Sequence, residues 1–278
     1  MSVEKFIHKH LGKNIKSVHP IGSGLFSANK VVLEDHSTVF IKTQQTPNQS
    51  LIQEAYELNL LSKSVNTPNV LGSCEYSLIL QWIESEHNPY AQSQLGTQLA
   101  NLHKTQSKYF GFDFDNKIGT TPQINAVGKQ IESWAEFYWQ YRLKYQIDLA
   151  MKNHHLNQDD YEKLLKIKTV LPSLLTDNIR PSLLHGDLWS GNYISSENQT
   201  YFIDTASYYG HREADLALTF MFGGFSNEFY QSYEKAYPLD AGFEKRKPLY
   251  MLYHYLNHLN LFGSGYYSGV MGCAKQLV

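Results

Sequence analysis

An α+β fold of two lobes, a small β-rich one followed by a larger and mostly helical one, is what the sequence predicts, and three observations predict it. Up to about residue 83 the apolar residues come in short β-branched runs around a single helical stretch. A polar segment carrying Pro89, Glu84 to Tyr90, then breaks the pattern and reads as a hinge. Beyond it the apolar spacing takes the helical period almost throughout. The lobes are therefore placed at 1–83 and 84–278.

The elements follow in order. Ile21-Gly22-Ser23-Gly24-Leu25-Phe26-Ser27-Ala28 is a glycine turn running into apolar Val31-Val32-Leu33, and Thr38-Val39-Phe40-Ile41-Lys42 is a β-branched strand ending in a lysine. Gln49 to Ser62 reads as a helix, with Leu51, Ala55, Leu58 and Leu61 on one stripe. Ser77 to Ile83 is another strand. In the second lobe Gln94 to Lys104 is an amphipathic helix, and Trp134, Tyr138, Tyr141 and Tyr145 fall on one stripe of a long helix. Ser182-Leu183-Leu184 leads into His185-Gly186-Asp187, Tyr201-Phe202-Ile203 is a short strand ending at Asp204, and helices return from about Glu213.

A formal net charge of -2 in 278 residues argues against a nucleic-acid or anionic-membrane partner. Cys74 and Cys273 form neither a metal-type spacing nor a disulfide framework and suit a reducing compartment. With no signal-like start and no long apolar run, the expected location is cytoplasmic.

Four features supply the parts that phosphoryl transfer needs, in the order in which a kinase carries them. In His185-Gly186-Asp187-Leu188-Trp189-Ser190-Gly191-Asn192 an Asp precedes an Asn by five residues, the spacing of the kinase catalytic loop. Asp187 would accept the substrate hydroxyl proton, and the amide oxygen of Asn192 would ligate Mg²⁺, which prefers hard oxygen donors. Asp204 closes a short strand twelve positions after Asn192 and would share the metal. Lys42 ends an apolar strand, and Glu54 lies on the helix face that carries Leu58 and Leu61. A carboxylate there needs a partner, and an ion pair that sets Lys42 on the α- and β-phosphates of ATP explains both, with Glu57 as the rival carboxylate. Gly22-Ser23-Gly24 would let backbone N–H groups approach the phosphates. Each feature alone is as well read as a turn, a cap or a solvated strand end; their order along the chain argues for chemistry. His154-His155 sits in a polar turn, while His254 and His258 are four apart with no carboxylate between them, which favours packing over zinc. His254 is kept as a candidate for the wall of a sugar pocket.

The stretch Leu183 to Asn192, with its tryptophan at position 189, resembles the signature of the fructosamine kinase (ketosamine-3-kinase) family, within the aminoglycoside-phosphotransferase group of protein-kinase-like enzymes. Tyr208 to Ala217, Met221 to Phe225, Gly242 to Arg246, His254 to His258, Phe262 to Tyr266, Gly119 to Asn125 and Trp134 to Phe137 are similar to the same family. The resemblance implies a protein-kinase-like two-lobed fold and ATP- and Mg²⁺-dependent phosphorylation of the 3-hydroxyl of a ketosamine, either a small molecule or a glycated lysine, as repair of glycation. By position it makes Asp187 the proton acceptor, Asn192 and Asp204 the metal ligands, and Lys42 with Glu54 the phosphate-positioning pair. Gln81-Trp82-Ile83 becomes the hinge whose backbone holds adenine, Trp189 stacks on the sugar, and Asp215 braces the catalytic loop. The sequence departs from the family in three places. Asp204-Thr205-Ala206 stands where Asp-Pro-Ala is common, Gln81 where Glu is usual, and no cysteine lies between Ser23 and Ser27.

Two other readings compete. An aminoglycoside or choline kinase needs a dense acidic pocket for a cationic substrate, and the helices after Asp204 offer only Glu213, Asp215, Glu228 and Glu234. A nucleotide-binding pseudokinase would lack some of the polar parts, and none is missing.

Overall fold

The computed structural model describes residues 2–23, 26–175 and 178–278. The chain divides into two compact units, Met1–Leu95 with Gly191–Thr205, and Gly96–Ser190 with Ala206–Val278. The first unit thus takes in a later hairpin, which a single cut in the sequence does not express.

The first unit is built on an antiparallel five-stranded sheet. Helix α1 (Val3–Leu11) is followed by β1 (Ile15–Ser23), β2 (Ser27–Leu33) and β3 (Thr38–Thr43), then by α2 (Ser50–Leu61), β4 (Val70–Ser73) and β5 (Ser77–Gln81), in the spatial order β1-β2-β3-β5-β4. Successive strand side chains point to opposite faces, so each strand feeds two cores. On one face Val31, Leu33, Val39, Ile41 and Ile79 pack with Phe6 and Ile7 of α1. On the other, Leu78 and Leu80 pack with Leu51, Ala55 and Leu58 of α2, joined by half-buried Phe40. Two positions beyond Phe40, Lys42 shares its face and is directed toward α2. The hairpin Tyr193–Ser195/Thr200–Phe202 joins this unit through Phe202 N–H to the Asn66 carbonyl at 2.9 Å and Glu86 N–H to the Ser195 carbonyl at 2.9 Å.

The second unit is mostly helical. Helix α3 (Ala91–His103) begins in the first unit and runs into it. Its longest helix, Phe243–Phe262, is buried along Leu249, Leu252, Leu256 and Leu259 and packs against helices Lys144–Lys152, Glu213–Thr219 and Tyr267–Leu277. A short hairpin, Asn116–Ile118/Thr121–Gln123, and a short antiparallel pair, Ser182–Leu184/Tyr208–Gly210, complete it. The expected long helix with Trp134, Tyr138, Tyr141 and Tyr145 on one stripe is interrupted by a π turn at Trp139–Leu143. A π turn inserts one residue, so the buried face passes from positions 134 and 138 to 142 and 146, and Tyr141 and Tyr145 are only half-buried. Arg142 is brought fully inside, where its guanidinium donates to the Ile124 carbonyl and Asn125 Oδ1, both at 2.6 Å, and lies 4.0 Å from the Tyr208 ring centre. No helix among the described residues is long and apolar enough to cross a membrane.

Candidate active site

The alternation that turns Lys42 toward α2 decides its partner. Lys42 Nζ donates to Glu54 Oε1 and Oε2 at 3.1 and 2.9 Å and to Asp204 Oδ1 at 2.6 Å. Burial alone would lower the lysine pKa, but the two carboxylates outweigh it and hold the ammonium charged. Burial pushes the Glu54 carboxyl above its ordinary range, with Lys42 opposing that shift. Asp204 differs: its side chain is 50 % exposed, so one of the three groups faces water. Glu57, the rival partner, is turned elsewhere. It is 2 % exposed, and it accepts the Thr205 hydroxyl at 2.7 Å.

A cavity of about 290 Å³ in the first unit has apolar walls from Ile21, Phe40, Leu80, Ile194 and Ile203. Gln81, Trp82 and Ile83 line it where β5 has ended, so the backbone past Gln81 has left the sheet ladder, and Glu54 and Asp204 also line it. An apolar slot beside free-running backbone and an ammonium held by two carboxylates fits a nucleobase with its phosphates. Lys30 Nζ lies 4.4 Å from the Trp82 ring centre, and the indole N–H donates to Glu84 at 2.7 Å, so Trp82 is fixed by its neighbours. Gly22 pairs with Ala28 in the β1–β2 ladder, and a Cβ on it would meet only ordinary contact at 3.7 Å. Ser23 ends β1, and Gly24 lies outside the described residues.

Asn192 is tied to the end of the Asp204 strand by two bonds, its amide Nδ2 donating to the Asp204 carbonyl at 3.3 Å and its carbonyl accepting Ile203 N–H at 3.1 Å. With Nδ2 turned to that carbonyl, Oδ1 is the atom that Asn192 has to offer a metal. Asp204 is in the left-handed region at φ 51°, a conformation that a non-glycine residue holds only when its surroundings enforce it. Among the described residues no cluster of three or more His, Cys, Asp or Glu forms a metal cage. One carboxylate and one amide suit Mg²⁺, which keeps waters and takes phosphate oxygens.

In the second unit the segment His185-Gly186-Asp187 is held from below by Asp215, whose Oδ2 accepts His185 N–H at 2.7 Å and whose Oδ1 accepts Gly186 N–H at 2.8 Å. His103 Nε2 adds a third bond at 3.1 Å, while its Nδ1 pairs with the Tyr233 hydroxyl at 2.8 Å. This network assigns the proton of His103 to Nε2. Burial holds His103 neutral; it would also raise the Asp215 carboxyl, but the donors around that group outweigh it and keep it below the usual range. Gly186 has φ 85°, and a Cβ there would sit 1.9 Å from the Ala206 carbonyl oxygen, so only glycine fits. Asp187 is half-buried, with its N–H directed to His185 Nδ1 at 3.3 Å. Trp189 is 42 % exposed, and His254 is buried with Nδ1 lacking a hydrogen-bond partner among the described residues. Burial lowers the His254 pKa to about 3.

Sequence reasoning missed three of these groups. His103 is a lone histidine ending a helix, Arg142 is hidden by the π turn, and the Thr205 hydroxyl registers in sequence only as a missing proline.

The pattern that defines the fructosamine kinase family matches residues 1–278. The chain is 38 % identical over 269 residues to a chloroplastic protein-ribulosamine 3-kinase of Arabidopsis thaliana, covering 92 % of this chain and 81 % of that one. It is 31 % identical to a ketosamine-3-kinase of Mus musculus, covering 99 % of each. Among solved structures it is similar to a candidate fructosamine-3-kinase of Thermobifida fusca, with a TM-score of 0.92, 29 % identity and 99 % and 98 % coverage. The aminoglycoside phosphotransferase APH(2")-IIa shares the fold alone, at a TM-score of 0.65 and 16 % identity over 100 % and 96 % of the two chains.

Proposed function

The chain belongs to the fructosamine kinase family of phosphotransferases that act on a hydroxyl group, and on that premise we propose that it transfers the γ-phosphoryl group of ATP to the 3-hydroxyl of a ketosamine. The observation that carries the reading is the Lys42–Glu54–Asp204 cluster beside an apolar cavity in a chain that matches the family throughout.

The backbone at Gln81-Trp82-Ile83 holds the adenine, the segment Gly22-Ser23-Gly24 would let backbone N–H groups approach the phosphates, and Lys42 neutralises the α- and β-phosphate oxygens. Asp204 and Asn192 would hold Mg²⁺, which would supply charge neutralisation on the transferring group. Asp187 accepts the proton of the attacking hydroxyl as the new O–P bond forms and the bond to the β-phosphate oxygen breaks, leaving ADP. Trp189 offers an exposed flat face to the sugar ring, and neutral His254 would back the wall of the sugar pocket. The substrate is a ketosamine, free or on a protein lysine, and loss of the phosphorylated sugar would free the amine. We place this chemistry in the cytoplasm.

The aminoglycoside reading is disfavoured by the fate of the acidic residues. Glu213 is buried in a bidentate pair with Arg246 at 2.6 and 2.7 Å, and Asp215 is spent on backbone, so neither can form an acidic wall for a polycation.

The deciding experiment compares phosphate transfer from Mg-ATP to ribulose-lysine and fructose-lysine, with Asp187→Asn as control. Transfer by the wild type that falls about 10²–10⁴-fold in the variant supports the assignment. Retained nucleotide binding with transfer to neither sugar amine sinks it.

A further inference from the structure

The segment that carries Asp204 is anchored to α2 at two points, and only one of them is the Lys42 cluster. The other is the hydrogen bond from the Thr205 hydroxyl to Glu57 Oε2, 2.7 Å long. Glu54 and Glu57 are three apart on α2, neighbouring positions of one helix surface. One reaches residue 204 through Lys42, and the other reaches residue 205 directly. Asp204 between them is held at φ 51°, in the left-handed region, and is half exposed. A hydrogen bond from a neutral hydroxyl to a buried carboxylate is among the stronger polar contacts and fixes direction as well as distance. A proline at 205 would have neither hydroxyl nor N–H and would set φ through its ring instead.

We propose that Thr205, through Glu57, is a positioning residue for the metal-binding carboxylate: it holds Asp204 in the left-handed conformation from which its half-exposed carboxylate meets a divalent cation. The bond runs to the helix that also positions Lys42, so both charged partners of the phosphates are set by α2. The inference rests on the assignment of Asp204 as a metal ligand.

The test reads metal binding before turnover. Mn²⁺ binding in the presence of ADP is titrated by electron paramagnetic resonance for the wild type, Thr205→Val, Thr205→Ser and Glu57→Gln. Thr205→Val, which keeps the shape and loses the hydroxyl, should weaken Mn²⁺ about tenfold, the effect of one such bond. Thr205→Ser should stay within about twofold of wild type, because the hydroxyl is restored. Glu57→Gln should fall between them, and adding it to Thr205→Val should weaken binding no further, since both remove one interaction. In turnover, the half-saturating Mg²⁺ concentration should rise in Thr205→Val while KM for the sugar amine stays fixed. Wild-type Mn²⁺ affinity in Thr205→Val, a serine variant as weak as the valine one, or additive losses would each overturn the proposal. If Thr205→Val does not fold, unchanged Mn²⁺ affinity in Glu57→Gln overturns it alone. Mn²⁺ binding that survives Asp204→Ala overturns the ligand assignment beneath it, whereas a wild type that binds Mn²⁺ with ADP yet phosphorylates no ketosamine refutes only the substrate assignment and leaves the Mn²⁺ titrations to support this inference.

Discussion

The two units hold their key carboxylates in opposite ways. In the first, Asp204 is half exposed and shares one lysine with Glu54. In the second, Asp215 is 1 % exposed and accepts two backbone N–H groups and a histidine. The difference separates two kinds of work. On the proposed assignment Asp204 would meet an incoming cation, and a half-exposed carboxylate keeps part of its hydration, so that exchanging water for a ligand is not prohibitive. A carboxylate that shapes backbone has both oxygens occupied by fixed donors and is sealed from water. The same contrast runs through the charged partners: the first unit relies on a lysine kept charged, the second on histidines kept neutral by burial.

Substitution of each aspartate should have the largest effects. Asp215→Ala leaves His185 N–H, Gly186 N–H and His103 without their buried acceptor and should cost about 3–5 kcal/mol, lowering Tm by roughly 6–20 °C in a thermal melt. Asp204→Ala should abolish transfer yet lower Tm by no more than a few degrees, because a half-exposed carboxylate contributes about 1 kcal/mol or less. Comparable losses of stability in the two variants would end the distinction.

Acid should discriminate next. A histidine whose folded pKa lies below its unfolded value of 6.5 takes up its proton only on unfolding. Stability is therefore complete above about 6.5 and is lost progressively as pH falls toward 3, the value to which His254 is lowered. His103 and His211 are lowered by the same burial, so the second unit should unfold first in acid. Melts between pH 7 and 4 check this, and His254→Gln should flatten the slope. A slope that the substitution leaves untouched would show that His254 is not among the groups responsible.

The smallest effect belongs to Trp189. Its exposed ring contributes little to folding, so Trp189→Ala should leave Tm within about 2 °C while raising KM for the sugar amine roughly tenfold. An unchanged KM would remove it from the sugar site.

Much of the site was legible in sequence because its parts lie on local elements whose period is readable. Lys42 is directed toward α2 by the alternation of β3, and Glu54 sits on α2 by helical spacing. The choice between Glu54 and Glu57 was not legible. Both lie near the stripe, and what separates them is a hydroxyl 148 residues from Glu57 along the chain. The π turn was equally hidden, since it shows only as a shift of one residue in which side chains are buried, and the aromatic spacing from Trp134 to Tyr145 reads as an unbroken helix.

By itself the sequence determined the α+β class, the order of the elements and the family, because these rest on local periodicity and on short motifs with fixed spacing. Tertiary structure alone decided that the hairpin at 191–205 packs with the first unit, that Arg142 enters the core, and that Glu57 holds Thr205. Each of those outcomes joins residues far apart in the chain, and such a pairing is selected by burial and by the need of every buried polar group for a partner, which no local pattern encodes.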